Sequence, residues 1–110
     1  MRKILLVDND ITFIWGLKKY LQRRGYAVET AATLAEAREM IKQEAPLLIC
    51  SDLCLPDGSG LELLAEVRTC NKDTPFIIAS CYEKDDYEQE ALQHGVTICM
   101  DKIKSALLKD

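Results

Sequence analysis

Four short apolar runs, Ile4 to Val7, Leu47 to Cys50, Phe76 to Ala79 and Ile98 to Met100, are each followed within two residues by a polar side chain: Asp8, Asp52, Ser80 and Lys102. The runs at Lys3 to Asp8 and Leu47 to Asp52 are continuous rather than alternating, as expected of strands covered by helices on both faces. Helical patterns separate them, so the order is strand, helix, strand, helix to the end. That alternation is the mark of an α/β domain on a parallel sheet. In such a sheet the residues just past the strand carboxyl ends meet at one crevice, which brings two carboxylates, a hydroxyl and an amine together.

The helices carry their own punctuation. Thr33-Leu34-Ala35-Glu36 and Ser59-Gly60-Leu61-Glu62 have the hydroxyl-to-Glu spacing of a capping box, and Gly25 and Gly95 stand where a helix should stop. Ala27 to Ala31 is short and weakly apolar, the natural edge strand. In the first helix Phe13, Leu17, Tyr20 and Leu21 form one stripe for the sheet, while Trp15 falls among Lys18, Lys19 and Gln22 on the polar face. Asp57, in a Pro-Asp-Gly turn, reads as turn chemistry.

With 110 residues, 48% of them hydrophobic, the chain has material for a single core, and one domain over residues 1–110 is expected. A formal charge of -4 argues against an electrostatic grip on nucleic acid or an anionic membrane. No apolar run approaches the roughly 18 residues of a membrane span, so a cytoplasmic location is expected. The five cysteines are odd in number and contain no C-x-x-C pair; most are expected in the core, with Cys54 and Cys81 set apart by lying beside the crevice.

Acids alone would suggest a cation site. A hydroxyl and a lysine added to them suggest that the cation has an anionic companion, and phosphate is the usual one. Asp8 or Asp10 could instead cap the first helix, Ser80 could satisfy backbone, and Lys102 could be an ordinary surface lysine, but these readings do not explain why all lie at strand ends.

The motifs Val7-Asp8-Asn9-Asp10, Ser51-Asp52-Leu53-Cys54-Leu55-Pro56-Asp57-Gly58-Ser59-Gly60, Ala79-Ser80 and Asp101-Lys102 occur in this order at successive strand ends. The chain from Lys3 to Lys102 resembles the receiver domain of a two-component response regulator. The resemblance implies a flavodoxin-like (βα)5 three-layer sandwich with strand order 2-1-3-4-5, its last helix short or truncated over Ser105 to Asp110. It implies that Asp52 is the phosphoacceptor, that Ser80 bonds a phosphoryl oxygen, and that Lys102 pairs with Asp52 before transfer and with the phosphoryl group after it. It also implies Mg²⁺ held by Asp8, Asn9, Asp52 and the main-chain carbonyl of Cys54. The implied partners are a histidine kinase or phosphotransfer protein, an output domain beyond Asp110 acting in transcription, and a second copy in a homodimer. The protein would be no enzyme beyond promoting its own phosphoryl transfer and loss.

Three positions depart from the family pattern. Asn9 replaces the second acid of the cation pair, Cys99 stands where a signalling aromatic is usual, and Ile103 replaces the proline after the lysine, making a cis peptide there unexpected because it would cost about 2.5–4 kcal/mol. These departures keep open a phosphorylation-independent interaction module. A Mg²⁺-dependent phosphohydrolase would need a substrate cap that the chain is too short to supply.

Overall fold

Alternate residues along the strands divide between two apolar faces, and that division builds the molecule. A computed structural model describes residues 2–102. The sheet strands are β1 (Ile4–Val7), β2 (Val28–Ala31), β3 (Leu48–Asp52), β4 (Phe76–Ser80) and β5 (Ile98–Asp101), all parallel, in the order β2-β1-β3-β4-β5. The helices are α1 (Ile11–Arg23), α2 (Leu34–Gln43), α3 (Gly60–Cys70) and α4 (Glu88–Gln93). The expected three-layer α/β sandwich and strand order are observed, and Val28–Ala31 is the edge strand anticipated over Ala27 to Ala31. Among the described residues no helix is long and apolar enough to cross a membrane. Ile103 and the Ser105 to Asp110 segment lie outside the described residues.

Leu5 and Val7 of β1, Ile49 of β3, and Phe76 and Ile78 of β4 share one core with Leu34 and Ala37 of α2 and Leu63, Leu64 and Val67 of α3. Burying a large aliphatic side chain completely stabilises the fold by about 1.5–3 kcal/mol, and Leu34, Leu63 and Leu64 are each at most 1% exposed. The alternate positions, Ile4, Leu6, Leu48, Cys50 and Ile77, face α1 and line a groove of about 650 Å³ beside it. Among the described residues this face is only partly covered. Phe13, Leu17 and Leu21 are accordingly half-buried, and Tyr20, expected within the buried stripe, is 42% exposed.

Both glycine stops act as expected. Gly25 (φ +94°) and Gly95 (φ +86°) follow α1 and α4 in the left-handed region that favours glycine. In each case the next residue's amide reaches back to the helix, Tyr26 to the Leu21 carbonyl at 3.2 Å and Val96 to the Ala91 carbonyl at 3.0 Å. The Thr33 cap forms, with the Glu36 amide donating to Thr33 Oγ1 at 3.1 Å, while the Glu36 carboxylate reaches one residue past the box position and accepts from the Ala32 amide at 2.9 Å.

Two local expectations are corrected. Ser59 accepts from Leu61 at 3.0 Å, one residue short of a full box, because Cys54–Leu55 and Gly58–Ser59 pair as a small antiparallel hairpin that fixes the entry to α3. Asp57 does more than shape its turn: its two oxygens accept from the Leu34 and Ala35 amides at 2.8 and 3.1 Å, so it caps α2 from across the chain. Those amides, Leu34's above all, hold its carboxyl below the usual value. The cysteines also depart from expectation, since Cys54, Cys70 and Cys81 are exposed and only Cys50 and Cys99 are half-buried. Cys70 ends α3 at the surface, where its small size decides nothing about burial.

Candidate phosphoryl-transfer site

The sheet reverses its direction of growth between β1 and β3, and the residues after those strands therefore lie at the mouth of one crevice. Register sets how they meet. Val7 pairs with Ser51, Asp52 with Ala79, and Ser80 with Asp101, so Asp8, Asp52, Ser80 and Lys102 emerge along one sheet end.

Lys102 is the centre of the arrangement. Its Nζ lies 2.6 Å from Asp8 Oδ2 and 3.4 Å from Asp52 Oδ2. The ammonium also stands 4.7 Å from the centroid of the Phe13 ring. The Lys102 and Asp8 side chains are almost wholly buried, while that of Asp52 is 15% exposed and open to an incoming group. Burial pulls the ammonium down, but hydrogen bonding and charge from Asp8, with charge from Asp52, outweigh it and hold Lys102 above its ordinary value. Burial pushes the Asp8 carboxyl up more than Lys102 and the Asp10 amide bring it down.

The other expected residues are placed as follows. Asp8 Oδ1 accepts from the Asp10 amide at 2.9 Å, and Asp10 itself caps α1 by accepting from Phe13 at 3.2 Å. Asp10 is thus the helix cap and Asp8 the site carboxylate. Asn9 is exposed at the rim. Ser80 is fully buried, its hydroxyl accepting from the Tyr82 amide at 3.1 Å, so it is occupied with backbone in this conformation. Cys54 is exposed in the hairpin, paired with Ser59. Cys50, under the site, is pushed up to about 12 by burial and stays a thiol at neutral pH.

The donor set suits a hard divalent cation. Asp8 Oδ2 is buried with the Lys102 ammonium 2.6 Å away, and a carboxylate oxygen has a second lone pair to offer a cation. Among the described residues no three His, Cys, Asp or Glu side chains gather to make a cage. A sparse oxygen set with two carboxylates fits Mg²⁺, which keeps several waters and completes its shell with phosphate oxygens.

Sequence reasoning missed two contributors. Phe13 belongs by its spacing to the stripe that faces the sheet, yet its ring lies under Lys102. Gly60 belongs by its spacing to a helix cap, yet it stands so close that a methyl group there would overlap the Asp52 carbonyl oxygen. Only the spacing of Phe13 from Asp8, one helical turn past the cap, could have signalled the first.

A family model of the response regulator receiver domain matches residues 4–108. The chain belongs to that family. The photosynthetic apparatus regulatory protein RegA of Cereibacter sphaeroides is 31% identical over 101 residues, covering 92% of this chain and 55% of RegA. The transcriptional regulatory protein PmrA of Pectobacterium parmentieri is 36% identical over 93 residues, covering 84% of this chain and 42% of PmrA. A Burkholderia pseudomallei response regulator, solved with a phosphorylated aspartic acid, a calcium ion and citrate, superposes with a TM-score of 0.85 at 28% identity, covering 97% of this chain and 65% of that one. This receiver domain spans about half the length of the curated relatives it matches. Receiver domains are phosphorylation-dependent switches of two-component systems, served by histidine kinases, that generally bind Mg²⁺ at the phosphorylation site; they are signalling domains rather than conventional enzymes.

Proposed function

We propose that Asp52 is the phosphoacceptor of this receiver domain, taking a phosphoryl group from a histidine kinase or phosphotransfer protein. The observation that carries the reading is the Lys102 ammonium shared between a buried carboxylate, Asp8, and a more accessible one, Asp52. An Asp52 oxygen attacks phosphorus, the bond from phosphorus to the donor imidazole breaks, and the imidazole leaves with the bonding pair and is protonated. Asp52 becomes an acyl phosphate. Lys102, 3.4 Å from Asp52 Oδ2, is within reach of the transferred group and balances its charge. Ser80 gives up the Tyr82 amide and donates its hydroxyl to a phosphoryl oxygen, and this exchange favours the active conformation.

Asp8, Asp52, the Cys54 carbonyl and the Asn9 amide oxygen would hold Mg²⁺, which when bound neutralises charge on the phosphoryl oxygens. The Burkholderia relative, with a phosphorylated aspartic acid and a calcium ion, supports a cation beside the acceptor. Asn9 brings no charge, so binding is weaker than with two acids at the first strand end. The finer reading includes one domain over residues 1–110, a cytoplasmic location, and control of an output domain in transcription.

Incubation with Mg²⁺ and acetyl phosphate, followed by intact mass measurement, tests the assignment. The protein should gain one phosphoryl group and Asp52→Asn should gain none. An adduct at full level in that variant removes Asp52 from the role, and no adduct on the wild type favours a phosphorylation-independent interaction module.

A further inference from the structure

Three of the five cysteines are exposed, Cys54, Cys70 and Cys81, and two of these stand at the phosphoryl-transfer crevice. The strand register places them. Asp52 of β3 pairs with Ala79 of β4, Cys54 follows Asp52 by two residues, and Cys81 follows Ala79 by two. Neighbouring strands run about 4.8 Å apart, so the two thiols leave adjacent strand ends beside the acceptor. Each also belongs to a working part of the site. Cys54 pairs with Ser59 in the hairpin that follows Asp52, and Cys81 is enclosed by the turn in which the Tyr82 amide donates to Ser80 Oγ at 3.1 Å. The other cysteines are set apart. Cys70 ends α3, whose start touches the Asp52 backbone, and at 1.5 Å per residue the helix carries it about 15 Å away. Burial holds the Cys50 and Cys99 thiols above their ordinary value and shields them from reagents in solvent. We propose that Cys54 and Cys81 are a redox gate on this receiver domain: exchange of their thiols with a low-molecular-weight disulfide of the glutathione class closes the crevice to phosphoryl donors.

The exchange balances without a further reactant. The thiolate of either cysteine attacks one sulfur of the disulfide, a new S–S bond forms as the old one breaks, and the departing thiolate leaves with the bonding pair. It takes up the proton that the cysteine released. The protein sulfur is oxidised and the departing sulfur reduced. An adduct on Cys81 burdens the turn that must open before the Ser80 hydroxyl can reach a phosphoryl oxygen. An adduct on Cys54 stands beside an Asp52 side chain only 15% exposed, and the carboxylates of glutathione repel an anionic donor. A small thiol reverses the exchange and reopens the site, so the gate follows the ratio of disulfide to thiol around the protein.

The inference rests on Asp52 as the phosphoacceptor, and one assay separates the two. Protein is treated with oxidised glutathione, half of each sample is then reduced with dithiothreitol, adducts are mapped by peptide mass, and both halves are labelled with Mg²⁺ and acetyl phosphate. Wild type and Cys70→Ser should carry glutathione on Cys54 or Cys81 and should label at least about tenfold more slowly than their own reduced halves. Cys54→Ser/Cys81→Ser, with glutathione still on Cys70, should label alike in both halves. Oxidised wild type should keep its helical circular dichroism, and loss of the fold in place of closure refutes the gate. Absence of glutathione from both mouth cysteines, or labelling undiminished by it, refutes the gate and leaves Asp52 in its role. Equal slowing in the double variant refutes it too. If the double variant does not fold, Cys70→Ser decides: labelling alike in its two halves assigns the effect to Cys70 and overturns the proposal. Reduced wild type that takes no phosphoryl group overturns the Asp52 reading and this inference with it.

Discussion

Gly60→Ala should damage both the fold and the proposed chemistry, although alanine is ordinarily the better helix residue. Gly60 opens α3, and its amide donates to the Leu53 carbonyl at 2.8 Å, which pulls the helix start onto the end of β3. A methyl group at this position would stand 3.0 Å from Ser51 Oγ, 3.2 Å from the Asp52 carbonyl carbon, and in overlap with the Asp52 carbonyl oxygen. That oxygen cannot swing aside, because it is main chain and already accepts from Ser51 Oγ at 2.9 Å. Relief requires α3 or the Asp52 backbone to shift by about half an ångström or more in a close-packed region. Overpacking of this kind costs about 1–3 kcal/mol, and the upper end applies because backbone must move. Alanine's helix preference returns up to about 1 kcal/mol. The net loss should be about 2 kcal/mol in urea unfolding.

The same shift displaces the Asp52 carboxylate from Lys102, and a misplacement of about half an ångström should slow labelling by acetyl phosphate about tenfold. Gly16→Ala is the internal control. Gly16 lies inside α1, and among the described residues nothing stands within 4 Å of a methyl group placed there. That variant should gain about 0.5–1 kcal/mol and label at the wild-type rate. If Gly60→Ala matches wild type in both stability and labelling, the close approach to Asp52 does not constrain the site and the reasoning fails.

Asp57→Asn should flatten the acid limb of the stability curve. Capping lowers the folded carboxyl below its ordinary 3.8, so its contribution is complete above that value and is lost as pH falls through the lower folded one; parallel wild-type and variant curves would mean that the cap is not charge-dependent. Tyr87→Phe should be neutral or stabilising by up to about 1 kcal/mol, because the Tyr87 hydroxyl is buried without a hydrogen-bond partner among the described residues. A loss beyond about 1 kcal/mol in urea unfolding would reveal a partner. Trp15 is 62% exposed on α1 with Lys19 Nζ 5.0 Å from its ring, so Trp15→Ala should change stability by no more than about 0.5 kcal/mol. It should slow transfer from the cognate kinase while sparing labelling by acetyl phosphate, and equal transfer rates at limiting kinase would leave Trp15 a chance surface residue.

The positions of Asp8, Asp52, Ser80 and Lys102 were legible because each follows a short apolar run directly, and a parallel sheet converts that one-dimensional mark into a shared location. The exposure of Trp15 and the stops at Gly25 and Gly95 were legible for a similar reason: helical phase and left-handed backbone are local properties. Asp57 was not legible as the cap of α2, since it lies 23 residues from Leu34 and only the fold brings them together. The half-buried state of the Phe13 stripe was hidden too, because periodicity reports which residues share a face but not what fills the space opposite. Cysteine burial failed on the same ground: composition supplies a tendency, while exposure at Cys70 follows from where α3 ends.

Phe13 and Gly60 extend the strand-end rule rather than breaking it. A crevice formed by residues one step past parallel strands has a floor, and whatever packs against that floor acts on the chemistry without touching phosphate. Phe13 comes from α1, which starts three residues after Asp8, and Gly60 starts α3, eight residues after Asp52. Each helix therefore returns to the strand end it has just left, one presenting a ring to the ammonium and the other a bare backbone to the acceptor's carbonyl. Burial of Asp8 by the same packing pushes its carboxyl up. Desolvation of the ionised carboxylate is the cost of that packing, and the Lys102 ammonium and the Asp10 amide oppose it. A divalent cation, with twice the charge of an ammonium, would oppose it further. Closure of the crevice floor and readiness for a cation are thus one property of this fold, set by the residues that follow β1 and β3.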